Sequence, residues 1–221
     1  MKRWNVRKEA LEQIANLIDE DSRIVFIGSD LGAGTMAEVG ERHPERVLME
    51  GIAEQHIVGM SAGLAIEGFV PYVHTIGSFL TRRALEQVII DVALHGLPVR
   101  LIASGGGMVY APLGPTHEAI EDMALMRAVP GMSIFCPIDP QEMREVIAAL
   151  ANTSGPAYVR LGKGGEPIVT DPGFIPGPIR ILRQGSRLLA LTTGAIGHEC
   201  LSAADRLGAD MVTVAHVPTV S

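Results

Sequence analysis

Short apolar runs alternate with helical patterns along most of this sequence, and that rhythm restricts the fold more than any other feature. Ile24-Val-Phe-Ile27, Val47-Leu-Met49, Val70 to His74, Val99-Arg-Leu-Ile-Ala103, Ser133-Ile-Phe135 and Ala157-Tyr-Val-Arg160 read as buried strands. Between them lie stretches with helical spacing at 6–20, 55–66, 79–94, 118–127 and 141–150. In the first of these, Leu11, Ile14, Leu17 and Ile18 make the apolar face. Strands alternating with helices mean βαβ units, so the predicted fold class is α/β: a parallel sheet with helices on both faces. Its crossovers are right-handed, and a site belongs at the C-terminal ends of its strands.

The composition changes after residue 165. Pro167, Pro172, Pro176 and Pro178 interleave with Gly173 and Gly177, and residues 166–184 read as a linker. Beyond it, at 185–221, Leu188 to Thr192, a helix over 198–207 and Met211 to Ala215 read as one further βαβ unit, which cannot bury both of its faces. The sequence thus divides into a first domain over 1–165, a linker, and an incomplete second α/β unit.

Several functions are excluded early. The net charge is −7 with no basic cluster, which argues against nucleic acid as a partner. Hydrophobic residues make up 47% and charged residues 19%, enough apolar material for a sizeable core. Cys136 and Cys200 form no CxxC pair and no disulfide framework. No secretory signal and no membrane-spanning run is visible, so a cytoplasmic protein is expected. The histidines His43, His74, His95, His198 and His216 have no metal-ligand spacing.

One stretch concentrates the chemistry. The short strand ending at Met49 runs through a glycine turn at Gly51 into a helix, and Glu54 stands at that junction. The helix carries Gly59, Ala62 and Gly63 on one face, small residues that let another backbone approach. Read alone, Glu54 is either a site carboxylate or a glutamate favoured at a helix start by the dipole. The loop Gly28-Ser-Asp-Leu-Gly-Ala-Gly34 follows the first strand but matches neither GxGxxG nor a P-loop, so as a nucleotide fingerprint it is weak.

Three motifs in order now carry a resemblance. Gly51-Ile-Ala-Glu-Gln-His56 resembles the cofactor-activating motif of the thiamine diphosphate enzymes of the transketolase and 1-deoxyxylulose-5-phosphate synthase group. Gly114-Pro-Thr-His117 resembles the histidine loop of the same group, and Ser78-Phe-Leu-Thr-Arg-Arg-Ala-Leu-Glu-Gln-Val88 resembles the segment between them. The resemblance implies thiamine diphosphate as cofactor and Glu54 as the carboxyl beside its pyrimidine N1′. It implies Phe79 as the stacking aromatic, in a sequence with only 4% aromatics. His117 becomes the group that moves protons on the substrate. Asp30 falls near the cofactor edge. An arginine is expected after Phe79; Arg82 is taken as the cofactor-binding one, although Arg83 beside it leaves the register open. His56 reads as an interface or supporting residue.

The departures matter equally. Leu113 stands where the family usually has an aspartate that reads a sugar hydroxyl, so the departure implies a donor that is deoxy or otherwise modified at that carbon. Gly105 to Gly107 stand about where transketolases often carry another substrate histidine. No Gly-Asp-Gly motif exists to bind the diphosphate and Mg²⁺. The resemblance therefore implies the pyrimidine-binding subunit of a split, transketolase-like enzyme, working as a homodimer or heterotetramer with a large subunit that holds the metal. Three other readings compete. One is a deoxyxylulose phosphate synthase-like ketoacid reaction, which Glu-Gln-His and Asp91-Val-Ala-Leu94 also resemble. The second is a non-catalytic assembly subunit, and the third a nucleotide-binding module using Gly28 to Gly34.

Overall fold

The computed structural model describes residues 5–162, 164–173, 177–208 and 210–220. The chain opens with α1 (Val6–Glu20), β1 (Ile24–Gly28), α2 (Ala33–Arg42), β2 (Val47–Met49), α3 (Glu54–Ile66) and β3 (Val70–Ile76). An irregular helical stretch follows: a π turn at Phe79–Arg83, the single turn α4 (Leu85–Gln87) and a second π segment at Val88–Ala93. Then come β4 (Arg100–Ser104), a 3₁₀ turn at Ala111–Leu113, α5 (Asp122–Arg127), β5 (Ser133–Phe135), α6 (Pro140–Leu150) and β6 (Ala157–Leu161). The six strands form one parallel sheet in the order β2-β1-β3-β4-β6-β5. The α/β expectation is met.

Side-chain alternation builds two cores from one sheet. Phe26, Tyr72, Ile102 and Val159 face α1 and α6, where Leu11, Ile14, Ile18, Met143, Val146 and Ile147 close over them. Their strand neighbours Val25, Ile27, Val73, Leu101 and Tyr158 face the other way, against Ile57, Val58 and Ala62 of α3 and Leu80, Val88, Val92 and Met126. Local signals start the helices. The Asn5 side chain accepts from the backbone N–H of Lys8 at 3.1 Å. Asp139 caps α6 through the N–H of Glu142 at 2.9 Å, and Pro140 fills the first helical position.

The remaining elements correct the sequence expectation. Residues 180–183, inside the expected linker, form β7 (Arg180–Arg183). It pairs antiparallel with β9 (Val212–His216), which pairs parallel with β8 (Leu188–Thr192), so the order is β7-β9-β8. With α7 (Gly197–Leu207) packed on one face, this is a three-stranded sheet rather than a lone βαβ unit. α2 was not foreseen, because only Met36 and Val39 of its ten residues are buried and no apolar stripe marks it. The helix expected from 118 begins at Asp122, and the one expected over 79–94 is largely π-helical.

Buried polar contacts tie α6 to β9 and to the segment that follows β6. Glu142 Oε2 accepts from the N–H of Ile138 at 2.9 Å and lies 2.8 Å from Nε2 of His216, and both side chains are inaccessible. Asp139 Oδ2 accepts the N–H groups of Val169 and Thr170 at 2.8 and 2.7 Å. No described helix is long and apolar enough to cross a membrane.

Candidate active site

Because the sheet is parallel, the loops after β2, β1, β3 and β4 leave the same edge, and these four strands are neighbours in that order. Glu54 follows β2, Asp30 follows β1, Phe79 follows β3 and His117 follows β4. Four residues far apart in sequence are thereby delivered to one place. Gly51 makes the turn before Glu54 at φ +71, a conformation that favours glycine. Gly77 stands before Phe79, where a Cβ would lie 3.2 Å from Ala119 and 3.3 Å from the Tyr158 hydroxyl.

Glu54, Phe79 and His117 form one connected cluster, and Arg83 links them. The Glu54 side chain is fully buried, and its Oε2 accepts from Arg83 Nη1 at 2.6 Å. The same guanidinium carbon stands 4.0 Å from the centroid of the Phe79 ring, in cation–π contact. The His117 ring meets Phe79 edge-on, with centroids 5.1 Å apart and planes at 65°. Nδ1 of His117 lies 2.9 Å from the Thr116 hydroxyl, which fixes the ring. On the other side, Thr75 donates to Glu54 Oε1 over a long 3.4 Å, and the Ser29 hydroxyl lies 2.9 Å from both Thr75 Oγ1 and Asp30 Oδ1. Asp30 is thus linked to Glu54 through two hydroxyls and is itself exposed.

Arg82 is placed differently from expectation. It is paired with Glu121 and donates to the Pro115 carbonyl at 2.6 Å, so it braces the loop that carries His117 and does not touch Glu54. This pairing drives the Glu121 carboxyl down to about 2. Ser78 adds a second brace, donating to the Thr116 carbonyl at 3.0 Å. The position beside Glu54 belongs to Arg83.

Sequence reasoning missed Arg160. Its Nε donates to the buried Asp122 carboxylate at 2.8 Å, beside the Tyr158 hydroxyl on the same oxygen, and its Nη2 donates to the Ala119 carbonyl at 3.1 Å. The glycines at 105–107 make this possible. A Cβ on Gly106 would collide with Arg160 Nε, and one on Gly105 with the Tyr110 ring. Gly107 is bridged to Ala119, two residues beyond His117. Arg160, Gly107, Thr193 and Glu199 help line a cavity of about 360 Å³ between the two sheets. A shallower hollow of about 420 Å³ is lined by Ser78, Phe79, Arg82, Arg83, Pro115 and Thr116. The one sequence signal for Arg160 was a charge in an otherwise apolar strand.

A buried carboxylate beside an aromatic face suits a planar, protonatable ring. Comparison with known proteins gives that ring a source. The family model described as "Transketolase, pyrimidine binding domain" matches residues 2–166.

The chain belongs to the transketolase family.

Among its relatives is a subunit of the 6-deoxy-6-sulfo-D-fructose transketolase of Clostridium sp., 32% identical over 95% of this chain and 67% of that one. Another is a subunit of the apulose-4-phosphate transketolase of Actinobacillus succinogenes, 38% identical over 89% of this chain and 65% of its own length. The 1-deoxy-D-xylulose-5-phosphate synthase of Polaromonas sp. is 35% identical over 91% of this chain but only 32% of its own. This transketolase-family chain therefore spans about two thirds of the two transketolase subunits and a third of the synthase. A solved split-gene transketolase, in an inactive β4 tetramer, superposes with a TM-score of 0.87 at 31% identity, over 98% of this chain and 72% of that one. For the thiamine diphosphate that the family implies, Glu54 offers a buried carboxylate and Phe79 an aromatic face, both now in contact with Arg83. Among the described residues no group of three His, Cys, Asp or Glu side chains gathers to hold a metal.

Proposed function

We propose that this chain is the pyrimidine-binding subunit of a thiamine diphosphate-dependent transketolase that moves a ketol unit between sugar substrates. The observation that carries the reading is the convergence of buried Glu54, Phe79 and His117 on one sheet edge. The cofactor supplies a carbanion at its thiazolium ring, chemistry no side chain provides. This chain's residues make that carbanion accessible and use it. Glu54 would hold a proton at the pyrimidine nitrogen that faces its carboxyl. Phe79 offers its face to the same ring. His117, at the rim and half-buried, passes a proton to or from a substrate oxygen. Asp30 sits at the cofactor edge, while Arg82 holds the His117 loop.

The substrate reading starts from two names. Both transketolase subunits among the relatives are named for sugars that carry an anion, a sulfonate in one and a phosphate in the other. Arg160 supplies a cation to the cavity next to the His117 loop, with donors beyond those given to Asp122 and Ala119. Leu113, 56% exposed on that loop, has no side-chain group that accepts a hydroxyl. The proposed donor is therefore an anion-terminated ketose that lacks a hydroxyl, or carries a modified one, opposite Leu113. The synthase-like relatives keep a second reading alive, in which the donor is a ketoacid such as pyruvate.

The sequence has no Gly-Asp-Gly motif, so Mg²⁺ and the diphosphate are assigned to a large partner subunit in a cytoplasmic heterotetramer or related oligomer. Residues 1–165 are assigned to the pyrimidine-binding domain, and β7, β8, β9 and α7 to a second unit that begins at Arg180. The test is co-expression with a large subunit that carries Gly-Asp-Gly. The pair is expected to bind thiamine diphosphate only with Mg²⁺ and to turn over ketose donors. Turnover of pyruvate alone would select the second reading. Assembly without cofactor binding would leave the chain a structural subunit.

A further inference from the structure

A buried carboxylate needs a counter-charge, and the one Glu54 has is held by a side chain that is half in solvent. Arg83 is 43% exposed while Glu54 is fully covered. Its guanidinium does two things at once: an N–H points at Glu54 Oε2, and the planar group lies over the Phe79 ring. These are the two contacts that the proposed function requires of the cofactor's aminopyrimidine. That ring too is planar, carries N–H groups, and is to bond the carboxylate while stacking on Phe79. The free subunit therefore already holds an internal mimic of its ligand.

We propose that Arg83 is a positioning residue that stands in for the cofactor's aminopyrimidine in the free subunit and is displaced when the cofactor binds. The inference rests on the function proposed above. Three features fit a displaceable stand-in. Arg83 ends the π turn Phe79–Arg83, so its backbone is anchored at the site while its head is open to solvent. Its neighbour Arg82 is tied to Glu121 and Pro115 and so is not a replacement. Among the described residues Glu54 Oε1 has only the long contact from Thr75 at 3.4 Å, so Arg83, at 2.6 Å from Oε2, is the strong partner that aims the carboxylate along the ring. Exchange of one planar donor for another leaves Glu54 satisfied throughout. Lysine would not substitute, because an ammonium neither stacks flat nor presents a fork.

The test uses the chain alone and 4-amino-5-hydroxymethyl-2-methylpyrimidine, the cofactor ring without its diphosphate, with binding read from NMR shifts of the protein. The wild type is expected to bind it only weakly. Arg83→Ala is expected to bind about tenfold or more tightly, and the double variant Arg83→Ala, Glu54→Gln to lose that gain. Arg83→Gln, which keeps a neutral hydrogen-bonding group, serves if the alanine variant unfolds, with the same direction expected. In the reconstituted pair, Mg²⁺–thiamine diphosphate should associate about tenfold faster with the variant by stopped flow. Binding of the ring that is unchanged or weaker in both Arg83 variants overturns the proposal, for Arg83 is then a bystander or a ligand. A wild-type pair that binds no thiamine diphosphate overturns the functional reading instead.

Discussion

Glu54 and His74 show how burial gives two ionisable side chains opposite tasks. Glu54 is enclosed but has a cation against it, so its charge is compensated where a ring is to bind. His74 is enclosed, and among the described residues no carboxylate bonds its ring. Its Nδ1 lies 3.0 Å from the Ile102 carbonyl, its Nε2 has no partner among the described residues, and burial pushes it down to about 4. It is a neutral core residue. Between about pH 6.5 and 4 the unfolded chain takes up a proton that the folded chain refuses. Stability is therefore full above this window and falls as the pH falls through it. The His74 share of the loss between pH 7.5 and 5 is roughly 2 kcal/mol at one unit per 1.36 kcal/mol. Urea unfolding at both values should show it in the wild type and not in His74→Leu; equal losses in the two proteins would contradict it. Glu54, Phe79 and His117 were legible in the sequence because each lies in a local motif with its own turn residues. The choice between Arg82 and Arg83 was not. They are adjacent in a π turn, where the 3.6-residue period does not say which faces the core.

At the scale of elements, the parallel sheet was legible because buried strands and amphipathic helices carry their own periodicity. β7 was hidden because its partner β9 lies some thirty residues further on and its surroundings are rich in proline and glycine. Arg160 was hidden for a similar reason: its meaning comes from Asp122, 38 residues earlier. The segment that follows β6 is held to α6 by such long-range contacts. Asp139 caps α6 and also accepts the N–H groups of Val169 and Thr170 and the Thr170 hydroxyl. Asp139→Ala removes the cap and strands these donors, and should cost about 2–4 kcal/mol, the sum of a lost cap and one or two unsatisfied groups. Asp139→Asn, which keeps an acceptor, should cost less. Urea unfolding of the two variants checks this, and an alanine variant within about 0.5 kcal/mol of the wild type would refute it.

For the whole molecule, one exposed apolar face suits the association with another chain proposed above. α3 and the π segment Val88–Ala93 pack together, and Gly63, Ile66, Ile90 and the neighbouring Leu94 are open on their outer side. A Cβ at Gly63 would meet nothing within 4 Å. Gly63→Leu should therefore leave the fold intact, with a helix gain of up to about 1 kcal/mol, yet block close approach of a partner helix. Thermal unfolding should show stability that is not lowered, and light scattering lost assembly; normal assembly would place the interface elsewhere. The central claim, that Glu54 activates thiamine diphosphate, is met most directly by C2-proton exchange of the cofactor bound to the reconstituted pair, followed by NMR. Glu54→Gln keeps shape and hydrogen bonding but not the shared proton. Exchange should slow by about 10²–10⁴, the usual cost of one positioned acid–base group, while thermal unfolding changes little. His117→Ala should exchange near normally and lose turnover instead. Unchanged exchange in a Glu54→Gln pair that still binds the cofactor would contradict the account.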